Sequence, residues 1–234
     1  MLYTLPQVSL LNIDQTKRAT PMFNSIEYYL NAFPLSNDIE DNILHVSKYK
    51  PTHPYFFVLL ELLIVNKIHH ETDIKFLGSE ACIEAIEWLK KNNIHNSCKL
   101  PQLIVCDTDS FKSQIEYCVS NQVIGGMCFL KITNTLLLDN IQLLYILCSC
   151  YTTVHIYKPQ SIKNTSLVKF IICHGLKHSI NITNYKNIHI PYYFYTKMNE
   201  INSTYGQMHI EHLQYKDEKF DKWISWCSDF FIPI

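Results

Sequence analysis

The stretch from Gly125 to Lys177 constrains the fold more than any other part of this chain. It contains three short apolar runs of strand length and one apolar segment at helical spacing that is too long for a single strand. A polar loop separates the last two runs, and Pro159 closes the run before that loop, as suits a strand end. The predicted order is strand, helix, strand and strand, at Met127–Ile132, Leu136–Cys150, Val154–Tyr157 and Val168–Cys173.

Helices that alternate with apolar strands predict an α/β sheet, in which the last two strands could pair antiparallel. Upstream, Asp73–Gly78 is strand-like and Ser79–Lys91 is a good helix that Ser79 could cap. This unit is typical of the opening of a Rossmann-like fold. We expect strands near 74–77, 103–106, 127–132, 154–157 and 168–173 to share one mostly parallel sheet with helices on both faces.

A chain of 234 residues with 47% hydrophobic residues can form one large domain with a small extension. We expect a helical extension over residues 1–50 and the Rossmann-like domain over residues 51–234. The first 20 residues read as a peripheral arm, followed by a short helix around Ser25–Ala32. Residues 181–200 read as irregular or edge-strand structure, and His209–Phe231 as one terminal amphipathic helix.

Composition excludes several classes of function. The net charge of −1 gives no overall attraction for DNA or other nucleic acids. No window of eighteen apolar residues predicts a membrane span, and no secretory leader is recognisable at the N-terminus. The odd number of scattered cysteines, nine, predicts reduced thiols in an intracellular protein. We predict no metal site, because Cys148 and Cys150 would face different sides of a helix.

Several separate positions of the Gly125–Lys177 stretch agree, in order, with one known family. The stretch resembles the C-terminal half of the FtsJ-like (RrmJ-type) RNA 2′-O-methyltransferases, and within them the eukaryotic cap-specific group. The match covers about fifty residues. The matching positions are Gly125, Gly126, Lys131, Leu143-Leu144-Tyr145, Tyr151, Tyr157-Lys158-Pro159, Ser161 and Cys173.

The resemblance implies a Rossmann-like, S-adenosylmethionine-dependent enzyme that methylates the ribose 2′-hydroxyl of capped RNA. Its catalytic set is Lys-Asp-Lys-Glu, and Asp107 and Lys131 match the middle two members. The first Lys would fall near Val58 and the Glu near Val168, and neither residue is ionisable. Lys131 would then lower the pKa of the hydroxyl with Asp107 as its partner. Asp107 could instead cap the following helix, Ser110–Val119.

The cofactor turn departs further from the family pattern. The family has a turn of the kind Gly-x-x-Pro-Gly-Gly where this chain has Gly78-Ser79-Glu80-Ala81-Cys82. Gly78, Ser79 and Asp107 are the candidate cofactor-binding residues, and we predict weak or absent binding of S-adenosylmethionine. Members of the cap-specific group carry a second, degenerate methyltransferase-like domain. This chain resembles that domain in its length and in lacking the glycine-rich turn and two of the four catalytic residues.

Two hypotheses follow from the sequence. The first is a degenerate domain that supports cap methylation in the nucleus or cytoplasm, with capped RNA or a catalytic methyltransferase domain as its partner. The second is an active 2′-O-methyltransferase that uses Lys131 and Asp107 as its remaining catalytic residues.

Overall fold

The computed structural model describes residues 1–8, 39–94, 100–178, 182, 185–214 and 220–234. A six-stranded sheet runs through it in the order β1-β5-β6-β4-β3-β2. The strands are β1 (Leu2–Thr4), β2 (Ile74–Leu77), β3 (Leu103–Cys106), β4 (Met127–Ile132), β5 (Tyr151–Tyr157) and β6 (Lys169–Leu176). The helices are α1 (Asp41–Val46), α2 (Phe56–Val65), α3 (Ala81–Lys91), α4 (Phe111–Asn121), α5 (Leu138–Cys150), α6 (Tyr192–Gln214) and α7 (Phe220–Asp229).

The expectation that five apolar runs share one sheet is confirmed. Strands β2, β3 and β4 pair in parallel, so that Leu77 lies opposite Cys106 and Cys106 opposite Leu130. Every residue of β3 is buried, as an inner strand covered on both faces requires. The connections from β2 to β3 and from β3 to β4 each contain one helix, α3 and α4, as parallel neighbours need a crossover.

The sheet is mixed rather than mostly parallel in its pairing, because β6 and β1 are reversed, although β5 runs in the same direction as β2, β3 and β4. Strand β6 lies between β4 and β5 and runs antiparallel to both. Only an eleven-residue connection, residues 158–168, joins β5 to β6, and it contains no crossover helix. This direct reversal makes β5 and β6 antiparallel, as expected for the last two strands, and it also reverses the pairing with β4.

The chain start belongs to the sheet rather than to a peripheral arm. Leu2, Tyr3 and Thr4 pair antiparallel with Tyr157, Ile156 and His155, so β1 is the edge strand beyond β5. The run is short, which suits an edge strand. The expected helix around Ser25–Ala32 lies outside the described residues, and the domain boundary at residue 50 stays a prediction.

Helices cover both faces of the sheet, as expected. Helices α4, α5 and α6 pack in the core on one face, and α1, α2, α3 and α7 pack in the core on the other. Helix α2 is almost entirely apolar and is buried from Phe56 to Leu63, because it lies between the sheet and other elements. We call these the α6 face and the α2 face.

The C-terminal region differs from the expected single helix. Helix α6 begins directly after Pro191 and runs for 23 residues through the segment expected to be irregular. Its buried side chains Phe194, Met198, Ile201 and Tyr205 recur at three- and four-residue intervals, which is a helical period. Helix α7 is a separate element, and its Ile224 is exposed.

No helix among the described residues is both long and apolar enough to cross a membrane. The eight cysteines in the described part of the chain are all free and buried.

Candidate functional site

The carboxyl ends of the parallel strands bring the predicted site residues to one edge of the sheet. Gly78 follows β2, Asp107 follows β3, and Lys131 lies near the end of β4. Since Cys106 lies opposite Leu130, Asp107 comes level with Lys131 on the neighbouring strand. The expectation that both residues lie on the same edge is confirmed, and this is the edge where open α/β sheets bind ligands.

The three predicted cofactor-binding residues meet at this edge, where Ser79 and Asp107 are hydrogen-bonded to each other and Gly78 packs against Asp107. The Asp107 carboxylate accepts a hydrogen bond from the Ser79 backbone N–H at 2.8 Å and a second from the Ser79 hydroxyl. Gly78 has a φ of +129° and lies so close to Asp107 that an added Cβ would be 1.7 Å from its Oδ1. The carboxylate therefore fills the space beside the turn, and a ligand there would have to displace it.

The turn after β2 is also too short to form a loop around a ligand. Helix α3 begins at Ala81, only three residues after Gly78, and Ala81 and Cys82 are already buried in the core. Burial raises the pKa of the Cys82 thiol to about 12, with a smaller contribution from the Asp107 charge, so the thiol stays neutral. The expected capping of this helix by Ser79 was wrong: Glu80 occupies the N-cap without a side-chain bond.

Lys131 does not take Asp107 as its partner. Its ammonium lies 3.4 Å from the carboxylate of Asp109 and 4.9 Å above the ring of Tyr55. The Lys131 side chain is 11% exposed, whereas that of Asp109 is 97% exposed, so this ion pair opens directly to solvent. Asp107 does not cap the next helix either, because the Ser110 hydroxyl accepts the hydrogen bond from Ser113 N–H at the start of α4.

The two positions at which the resemblance implies ionisable residues lie in the core of the α2 face. Val58 on α2 is fully buried and Val168, just before β6, is 3% exposed. Both belong to the hydrophobic core of the α2 face, the face toward which Lys131 reaches through Tyr55. The surroundings of Lys131 on this face are thus apolar where the family would have a second Lys and a Glu.

Sequence reasoning missed a buried carboxylate next to this site. Glu61 on α2 is fully buried and accepts hydrogen bonds from the Tyr157 hydroxyl at 2.5 Å and from the Ser161 hydroxyl at 2.7 Å. The backbone N–H groups of Gln160 and Ser161 donate to it at 2.8 and 2.9 Å. Burial and the Glu61 charge raise the pKa of Tyr157, which donates as a neutral phenol. Glu61 therefore fixes the segment after β5.

The signal for this network was present in the sequence. Glu61 is the only charge in an eleven-residue apolar run, and a charge in such a run must find partners. Its partners Tyr157 and Ser161 belong to the segment that carries the family resemblance.

The site lacks the means to hold a metal ion. Within the described ranges, no group of three or more His, Cys, Asp or Glu side chains is arranged to hold one. The ionisable groups at the site are one ammonium, Lys131, paired with the exposed Asp109, and one carboxylate, Asp107, that already accepts two hydrogen bonds. No known protein family and no curated protein matches this chain.

Proposed function

We propose that this chain is a degenerate domain of the FtsJ-like RNA 2′-O-methyltransferase kind, which supports cap methylation without binding S-adenosylmethionine itself. Its role would be to pack on a catalytic methyltransferase domain or to hold capped RNA, in the nucleus or cytoplasm. By the residues of the Gly125–Lys177 stretch, it resembles cap-specific mRNA 2′-O-methyltransferase 2, whose second methyltransferase-like domain is degenerate.

The strand order separates this chain from the dinucleotide-binding proteins. The dinucleotide-binding Rossmann fold has parallel strands in the order 3-2-1-4-5-6. In this chain the last strand, β6, is reversed and inserted between the parallel strand β4 and its neighbour β5. The α/β sheet with helices on both faces is compatible with the Rossmann-like domain that the resemblance implies.

The turn of Gly78 and Ser79 is closed by hydrogen bonds from Ser79 to Asp107. This observation is the main support for the proposal that the chain does not bind S-adenosylmethionine. In the family this edge must leave room for the methionine and nucleoside groups of the cofactor. Here the Asp107 carboxylate occupies the space beside Gly78, and helix α3 starts at once. The residues present do not fit S-adenosylmethionine.

The surroundings of Lys131 support the same conclusion. A general base or pKa-tuning set needs charged neighbours within about 4–6 Å. Lys131 has only the solvent-exposed Asp109 as an ion-pair partner in the described structure, while Val58 and Val168 are buried apolar residues in the core of the α2 face. This arrangement favours a residual ion pair over a catalytic one.

Exposed aromatic side chains favour a role in contact with a partner. Tyr192 and Tyr193, at the start of α6, are 72% and 50% exposed. Tyrosine rings on a surface can stack on single-stranded RNA bases or fill a hydrophobic contact with another domain. Either occupant fits the supporting role, and the two are separated by testing for RNA binding in the absence of any other domain.

An active enzyme is the second candidate, because Lys131 and Asp107 do lie level at the ligand-binding edge of the sheet. Methyl transfer to capped RNA by the full chain, measured beside a thermal melt of Lys131→Met, separates the candidates. We expect no transfer and a melt that is nearly unchanged or slightly higher, since the variant removes a largely buried charge. Transfer that falls about 10²–10⁴-fold in the variant, with an unchanged melt, would establish the enzyme and overturn the proposal.

A further inference from the structure

A narrow cleft lies on the α6 face of the sheet, on the opposite side from Lys131. Along β6, Phe170 belongs to the core of the α2 face and Ile171 to that of the α6 face, so Lys169 points toward α6. The loop after β4, the segment before β6 and helix α6 enclose the cleft, which measures about 30 Å³. Its polar lining includes Thr133, Asn164, Lys158, Lys169, Asn202 and His209.

Lys169 is a buried cation with few partners. The residue is 6% exposed, and its ammonium donates one hydrogen bond, to the carbonyl of Leu167 at 3.1 Å. The ammonium also lies over the ring of Tyr205, whose centroid is 4.9 Å away. An ammonium carries three N–H donors, so within the described structure two of them have no hydrogen-bond acceptor.

A second buried ammonium lines the same cleft. Lys158, which follows β5, is 5% exposed and donates to the carbonyls of Ser166 and Val168, the latter at 3.0 Å. No Asp or Glu is among the described residues that line the cleft. A buried ammonium such as that of Lys169, in a cleft whose described lining has no carboxylate, is unfavourable unless an anion balances it.

We propose that this cleft is a binding site for a small oxyanion, a phosphate group held by the Lys169 ammonium. The ammonium supplies two strong donors, and the asparagine and threonine side chains of the lining supply neutral donors that suit phosphate oxygens. Lys158 adds positive charge, and its bonds to the carbonyls of Ser166 and Val168 keep it in place.

The size of the cleft matches a single phosphate group. About 30 Å³ holds a few water-sized groups and excludes a larger ring system. A second cavity of about 240 Å³ shares Lys158, Asn164 and Met208 with the cleft, so the two adjoin. A free phosphate ion and the phosphate of a small ester both fit this arrangement, and the ester would extend into the larger cavity.

The titration of Lys169 provides a signature for the site. Burial lowers the pKa of this ammonium to about 8. The titratable groups that face it are Lys158 from the end of β5 and Tyr205 and His209 from α6. An anion binds the protonated form, so affinity should decline as pH rises above about 8, whereas a surface lysine would sustain binding toward pH ~10.4.

The test is calorimetric titration of the full chain with inorganic phosphate, inorganic sulfate and adenosine monophosphate at constant ionic strength. We expect saturable binding that Lys169→Met weakens about tenfold to a hundredfold, since a hydrogen bond to a charged group contributes roughly 1.5–3 kcal/mol. Lys169→Arg should retain part of the affinity. Lys112→Met, which removes an exposed lysine paired with Glu116 on α4, should leave it unchanged.

Sulfate carries the same charge throughout the range of interest, so its pH profile reports Lys169 in the wild-type chain without any variant. Tighter binding of adenosine monophosphate than of phosphate would identify an ester as the ligand, and equal binding would identify the free ion. Absence of saturable binding by all three, an equal loss in Lys112→Met, or sulfate binding that persists unchanged to pH ~10 would each overturn the proposal.

Discussion

Asp107 and Asp109, two residues apart, should respond very differently to loss of charge. In Asp107→Asn the side chain keeps one oxygen but turns an amide toward the donors of Ser79, so the two charge-assisted hydrogen bonds are lost or weakened. Such bonds contribute about 1.5–3 kcal/mol. For a domain of this size, that loss lowers the melting temperature by roughly 3–12 °C.

Asp109→Asn is the matched control. The Asp109 side chain is 97% exposed and makes one ion pair, with Lys131 at 3.4 Å. Exposed ion pairs contribute about 0–1 kcal/mol, so the shift should stay below ~4 °C. Urea denaturation and thermal melts of both full-length variants measure the difference. Equal shifts, or a larger one in Asp109→Asn, would refute the view that Asp107 holds the turn after β2 closed.

Three further predictions concern the same edge of the sheet and the cleft beyond it. Gly78→Ala should strongly destabilise the folded chain, because its Cβ would overlap Asp107 and its φ is +129°. In urea denaturation, the double variant Gly78→Ala/Asp107→Ala should recover part of the lost stability. No recovery would contradict the close contact. Glu61→Gln should lower the free energy of unfolding, measured in urea, by about 3 kcal/mol or more, since four donors lose their buried carboxylate. The control Glu87→Gln, at an exposed position, should change it little. Similar effects of the two variants would count against the network. Lys169→Met should be more stable than the wild type at pH 7, and this advantage, roughly 3 kcal/mol, should shrink as pH rises from about 8 to ~10.4. The folded state releases the Lys169 proton at lower pH than the unfolded state, so the stability of the wild type should rise relative to that of the variant between pH ~8 and ~10.4. Parallel curves of unfolding free energy against pH for the two proteins would refute this prediction.

The strands were predictable because their apolar runs are short and bounded by turn residues. Strands β2, β3 and β4 fall where the runs indicated. The place of β6 was not predictable, because a sequence run does not specify which neighbours a strand takes. The short connection after Pro159 indicated the antiparallel pairing with β5, yet the insertion beside β4 depends on the tertiary arrangement.

Helix α6 was missed because its apolar residues are separated by Asn, Thr and Tyr, which also favour turns. The helical period of Phe194, Met198, Ile201 and Tyr205 is nevertheless present in the sequence. Pro191, directly before the helix, is itself a start signal, because proline suits the first turn of a helix.

The positions of Asp107 and Lys131 were predictable from strand ends, but their partners were not. A carboxylate at a strand end can bond to a turn, a helix start or a cation, and the choice depends on distances of a few ångströms. Here the turn of Gly78 and Ser79 comes close enough to take Asp107, which leaves Lys131 to the exposed Asp109.

Calorimetric titration of the full chain with S-adenosylmethionine tests the central claim most directly, with an active methyltransferase as positive control. The closed turn of Gly78, Ser79 and Asp107 predicts no saturable heat of binding. Saturable binding in the micromolar range would contradict the account, because the cofactor would then have to open the hydrogen-bonded turn and displace the Asp107 carboxylate.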